Sequence, residues 1–125
     1  MDETEKWTVE VYQDARGNEP VSAWLAKDVR RAGKQHVAKI ARAIDLLEAE
    51  GLALPVQYLH KVRGDVWELI ATFQRNAYRV LFYNPAGHTL VLLHGFAKTT
   101  NAIDERDVST AERRMADDKA KRGVK

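Results

Sequence analysis

One stretch constrains the fold more than any other: KVRGDVWELIATFQRNAYRVLFYNPAGHTLVLLHGFAK, running from Lys61 to Lys98. Val, Ile, Leu, Phe, Tyr and Trp dominate three runs, Val66–Phe73, Ala77–Tyr83 and His88–Phe96, and Gly, Pro and Asn punctuate between them. That composition suits a pleated sheet and predicts a three-stranded meander. The turn Asn84-Pro85-Ala86-Gly87 offers Pro where a type I turn wants φ near −65° and Gly at its exit.

Strand side chains alternate, so parity separates two faces. Pairing Phe73 with Tyr78 and Tyr83 with His88 puts Trp67, Leu69, Ala71, Phe73, Tyr78, Val80, Phe82, Val91 and Leu93 on one face, an evident core. The other face receives Glu68, Ile70, Thr72, Arg79, Leu81, Tyr83, Leu90, Leu92 and His94. It is apolar too, but a carboxylate, an arginine, a phenol and an imidazole are set into it. A slip of one residue would mix the two sets.

Around this block, Trp7–Tyr12 alternates as a first strand with Trp7, Val9 and Val11 on one side. Asn18 is placed to cap a helix whose first turn holds Pro20, with Val21, Trp24, Leu25 and Val29 at helical spacing and Gly33 at its end. A second helix is expected over Lys34–Glu50, apolar at Val37, Ile40, Ala41, Ile44 and Leu47, with Gly51 as its C-cap. Leu52–Leu59 reads as a connector broken by Pro55. After a polar bend at Thr99-Thr100-Asn101 comes a helix of about Ile103–Lys121. Asp104, Glu105 and Asp107 open it and Lys119, Lys121 and Arg122 end it, in keeping with the helix dipole. Its apolar stripe is thin (Val108, Ala111 and Met115), which predicts light docking or completion by a partner. The sum is an α+β fold: a small antiparallel sheet made of the N-terminal strand and the meander, two helices on one face, and a C-terminal helix.

At 125 residues the chain is expected to form one domain, 1–125, with a real core. There is no cysteine, hence no disulfide and no thiolate metal site; with a charged start unlike a signal peptide and no apolar run near membrane length, a cytoplasmic, membrane-free protein is expected. A net charge of +2 is too mild to announce nucleic-acid binding, so such a claim rests on where charges sit. No phosphate-cradling Gly-rich loop, His-Glu-x-x-His or serine elbow occurs, and the four histidines lack ligand-like spacing, so neither metal nor cofactor is expected.

Arg79 is the most informative residue. An unpaired charge amid Tyr78, Val80, Leu81 and Phe82 is costly. Either its stem covers apolar surface while its head reaches water or an acceptor, or its guanidinium is aimed at a phosphate. His94 and Lys98 share its parity. His94 suits a rim histidine or a proton carrier, Lys98 a solvated strand end or a phosphate contact. Glu68, opposite Tyr83 in this register, suits pairing with a neighbour, or catalysis. Lys61 and Arg63 flank the first strand of the meander and could be an ordinary basic loop. A cluster of Arg79, Arg63, Lys61, Lys98 and His94 around one concave face would suit a phosphodiester backbone, with Arg75 and Tyr83 as further candidate RNA contacts.

Val66–Leu69 (Val-Trp-Glu-Leu), Tyr78–Tyr83 (Tyr-Arg-Val-Leu-Phe-Tyr) and Leu92–Lys98 (Leu-Leu-His-Gly-Phe-Ala-Lys), with Ala111, Arg113 and Arg114 in the late helix, resemble the phage-derived Gp49-like branch of the RelE/HigB toxin superfamily. The resemblance in element order extends from Trp7 onward. It implies a RelE-like fold and the toxin of a type II toxin–antitoxin pair: a metal-independent endoribonuclease that cuts mRNA on the ribosome and is silenced by an antitoxin, often of helix-turn-helix type. In that chemistry the ribose 2′-hydroxyl attacks the adjacent phosphorus and the 5′-oxygen leaves, which asks for a base, cations and an acid. By position, the resemblance implies that Arg79 stabilises the phosphate, Lys98 is the basic residue past the last strand, and Lys61 and Arg63 hold RNA. His94 lies in the Leu-His-Gly-Phe motif and is inferred to move protons. The chain departs from the family pattern at Ile70 and Thr99, where basic residues are usual. Those two positions favour the alternative, an inactive homologue that binds an antitoxin or serves as an operon co-repressor.

Overall fold

In a computed structural model, which describes residues 6–98 and 104–123, alternating apolar residues build a five-stranded sheet. The strands are β1 (Thr8–Val11), β2 (Leu59–Arg63), β3 (Val66–Phe73), β4 (Asn76–Ala86) and β5 (Thr89–Lys98), in the order β1-β5-β4-β3-β2. The meander is antiparallel. β1 joins its far edge parallel to β5, with Val9 beside Leu90 and Val11 beside Leu92. β2 falls where the sequence suggested a connector and basic loop. His60, Lys61 and Arg63 hide it from an apolar-pattern reading, and pairing with β3 (Leu59 opposite Leu69) supplies what its composition does not.

Helical residues occupy both faces. α1 (Pro20–Trp24) runs through a wide π turn at Leu25–Val29 into α2 (Arg30–Ala32). Asn18 does not cap it: its side chain bonds Asp14 Oδ2 (3.1 Å), and Glu19 takes the cap position, its carboxylate accepting from the Ser22 hydroxyl rather than from a backbone N–H. α3 spans Lys34–Glu50 as expected, though Ala41 is exposed and Ala43 and His36 are buried instead. Gly51 ends α3 at φ +58°, and a Cβ there would overlap the Trp7 indole, so glycine is required twice over.

The α1–α3 layer packs on Leu69, Ala71, Tyr78, Val80, Phe82, Leu90 and Leu92, closing the main core with Val21, Ile40 and Leu47. The opposite sheet face carries Val66, Leu81, Tyr83, Val91 and Leu93, and α4 (Glu105–Arg122) lies on it through Ala111 and Met115.

Two turns of the expected register change. Ala71, not Phe73, lies opposite Tyr78; this shift of two residues preserves parity, so the faces of β3 and β4 stand. Between β4 and β5 the ladder is broken: Phe82 faces Leu92 while Leu81 faces His94, leaving Leu93 as an extra residue. One inserted residue reverses parity. Leu90 and Leu92 therefore belong to the main core, and Val91 and Leu93 to the α4 side, the reverse of the expected sorting. A second irregularity sits between Tyr83 and Ala86, which accommodates Pro85 inside β4; the turn itself is Gly87-His88, with Gly87 at φ +52°. The expected polar bend at Thr99–Asn101 and the residue Ile103 lie outside the described residues.

Candidate functional site

Arg79 sits mid-strand on β4 between Ile70 of β3 and Phe96 of β5, and is only 8% exposed. Glu68 lies opposite Leu81 rather than Tyr83, which brings it diagonally within reach. Arg79 Nη1 donates to Glu68 Oε2 at 2.7 Å, and Glu68 is itself 1% exposed. The other Glu68 oxygen meets His60 Nδ1 at 3.3 Å. Arg79 Nε is buried with no acceptor. A buried donor without a partner costs about 1–3 kcal/mol, so it calls for a reason.

His94 lies diagonal to Arg79, and its ring stacks on Phe96 at 5.5 Å. Arg114 Nη1 approaches His94 Nδ1 at 3.2 Å and also donates to the Leu93 carbonyl. A guanidinium can only donate, so Nδ1 accepts and the proton of neutral His94 belongs on Nε2, which meets Asp107 Oδ1 at 2.7 Å. Burial holds its pKa below the usual histidine value, Arg114 and Arg113 push the same way, and Asp107 opposes them. Both ring nitrogens are occupied by α4, so proton transfer to a substrate requires α4 to move.

Lys98 ends β5 opposite Ala77 and shares the face of Arg79. Arg63 reaches α4, donating to Glu105 at 2.8 Å and 3.1 Å and to Glu112 at 2.9 Å and 3.1 Å. The paired carboxylates are held below their usual range by these bonds. Arg75 is exposed in the β3–β4 turn. Two expected RNA contacts are placed elsewhere. Lys61 lies over the Trp67 indole at 4.8 Å, on the parity of the main core and away from Arg79. Tyr83 is fully buried beneath α4, its hydroxyl donating to Asp118 Oδ2 at 2.6 Å, and burial raises its pKa.

The docking of α4 is therefore mostly polar. Tyr12 donates to Asp117 at 2.6 Å, Lys119 to Asp65 at 3.0 Å, and Arg122 to Asp118 at 2.6 Å and Glu10. Glu112 and Asp118 are the residues that sequence reasoning leaves out, while Glu105 and Asp107 enter it only as partners of the helix dipole and Arg114 only through the family resemblance. The signal was present: 107, 111, 114 and 118 recur at helical spacing, so these charges fall in the stripe of Val108, Ala111 and Met115.

The described architecture is thus an α+β protein of RelE-like form, whose second sheet face groups an arginine, a glutamate, a histidine and a lysine beside a polar helix. Residues 27–116 match the family described as phage-derived protein Gp49-like (DUF891), and the chain belongs to it. That family is the RelE/HigB-type toxin branch, so the chain is a toxin-type module of a toxin–antitoxin pair, for which the family implies an antitoxin partner. No curated protein matches the chain. Among the described residues no helix is long and apolar enough to cross a membrane.

Proposed function

We propose that the chain is a metal-independent endoribonuclease toxin that cuts mRNA, on the translating ribosome, and is held silent by an antitoxin. The observation that carries this reading is the Arg79 guanidinium, fixed by Glu68 with a buried Nε–H left without an acceptor. A preorganised donor of this kind is suited to a phosphate whose charge grows in the transition state. In the proposed reaction the 2′-hydroxyl attacks phosphorus while Arg79 and Lys98 balance the pentacoordinate phosphate. His94 Nδ1, once released from Arg114, takes the 2′-hydroxyl proton. The 5′-oxygen leaves with a proton from solvent or from the imidazolium, giving a 2′,3′-cyclic phosphate and a 5′-hydroxyl. Glu68 positions Arg79 and does not touch substrate. Arg63, when its α4 carboxylates depart, and Arg75 hold flanking phosphates.

A second reading has its own support. Arg79 is paired to Glu68 and Arg63 to Glu105 and Glu112, so two of the expected cations are neutralised within the chain, and Asp107 and Arg114 occupy both nitrogens of His94. With Ile70 and Thr99 uncharged, this arrangement suits a module that binds an antitoxin without cutting. Induction of the chain alone in bacteria separates the two. The toxin reading expects growth arrest and new mRNA 5′ ends, whereas normal growth with intact transcripts from folded protein overturns it.

A further inference from the structure

The outer edge of the sheet is incompletely covered. β2 accompanies β3 only to Leu69 opposite Leu59, and Tyr58 closes the ladder by accepting the Ile70 N–H at 2.8 Å. Beyond it β3 continues through Ala71, Thr72 and Phe73, paired to β4 on its inner side and with no strand on its outer side among the described residues. Backbone groups alternate in direction, so the N–H and C=O of Thr72 point outward as those of Ile70 do. Thr72 is exposed.

A cleft of about 290 Å³ separates this edge from α3. On the helix side Lys39 and Arg42 stand three residues apart, hence neighbours on one face, and neither forms an ion pair among the described residues. Ala43 and the part-exposed Leu46 supply an apolar wall, Gln57 and Tyr58 close one end, and no carboxylate lines the cleft.

We propose that the β3 edge is a docking site for an extended acidic segment of a partner protein. The segment adds as a strand whose backbone pairs with Thr72. One apolar side chain enters the cleft against Ala43 and Leu46, and carboxylates meet Lys39 and Arg42. An open edge with an apolar wall fits strand addition. A nucleic-acid backbone would use the two cations but neither the Thr72 amide pair nor the apolar wall. This inference is independent of whether the chain cuts RNA.

A displayed library of short random peptides, selected on the folded chain, tests it. The selection is expected to return alternating apolar and acidic sequences. Their affinity falls at least about tenfold in the Lys39→Glu/Arg42→Glu variant, a loss of about 1.4 kcal/mol. Thr72→Pro removes only an outward N–H, so the fold survives while peptide binding is lost. Amide exchange at Thr72 slows in the wild-type complex. A selection that returns no acidic extended sequence, binding that survives charge reversal, or an unprotected Thr72 amide overturns the proposal. So does a single-stranded RNA oligomer that binds the wild type and is lost in the charge-reversed variant while no peptide is selected; the cleft is then a nucleic-acid surface.

Discussion

Glu68→Gln is the sharpest probe of the buried pair. The substitution keeps size and a hydrogen-bonding oxygen but removes the only carboxylate bonded to Arg79 among the described residues, across a contact of 2.7 Å between side chains at 2% and 10% exposure. A guanidinium left in that setting is an uncompensated buried charge, and breaking such a pair costs about 3–5 kcal/mol. For a chain of this size each kcal/mol shifts Tm by roughly 3–5 °C, so Glu68→Gln should lower Tm by about 10–20 °C. Circular dichroism melts at neutral pH measure it. The second arm of the cycle is Glu68→Gln/Arg79→Met, which removes both charges and leaves an apolar side chain between Ile70 and Phe96. Replacing a buried ion pair by apolar volume is near neutral or stabilising, so the double variant should regain most of the lost stability. A loss below about 1 kcal/mol in Glu68→Gln would refute the premise that Arg79 depends on Glu68 for its charge balance. A double variant no more stable than the single one would refute it equally.

Gly95→Ala should destabilise by about 1–3 kcal/mol, because its Cβ would fall inside the Trp24 ring; a urea melt measures this, and Trp24→Leu in the same chain should restore part of the loss. His94 titrates below the ordinary histidine value near 6.5, so its contribution to stability is complete above that pH and is lost as pH falls through the lowered folded value. Stability measured from pH 7.5 to 5 should decline, and His94→Gln should flatten the slope; an unchanged slope would sink the assignment. At the N-cap of α4 Asp104 is lowered to about 2, and within the helix Glu105, Glu112 and Asp117 are lowered as well. Their support is present above the ordinary carboxylate range and fades from about pH 4 toward 2, so amide exchange in α4 should quicken there before exchange in β4 does.

Much of the sheet is legible in the sequence because a period of two is hard to counterfeit over eight residues: β3, β4 and their faces follow from parity alone. The β4–β5 sorting fails because a single bulged residue, Leu93, carries no compositional mark. β2 escapes notice since three of its five residues are basic or histidine, and β1 cannot be placed because its partner β5 lies about eighty residues away in the chain. Arg79 was legible from its apolar neighbours. Its partner was not, since which carboxylate reaches it depends on a register shift of two. The largest surprise is α4. A thin apolar stripe suggested light docking, yet Tyr83 to Asp118, His94 to Asp107 and Arg63 to two glutamates tie it down through polar contacts that hydropathy does not register.

These contacts leave a buried Arg79 paired to Glu68 on one sheet face, and a helix whose charges occupy His94 and Arg63 beside it. The most direct test is to map 5′-hydroxyl RNA ends in cells induced for the wild-type chain and for Glu68→Gln/Arg79→Met, which keeps the buried charge balanced and the fold intact. The account predicts abundant new 5′-hydroxyl ends within mRNA for the wild type and none above background for the variant. Cleavage that persists in the folded variant would contradict the role given to Arg79, and an absence of ends from folded wild-type protein would contradict the ribonuclease reading itself.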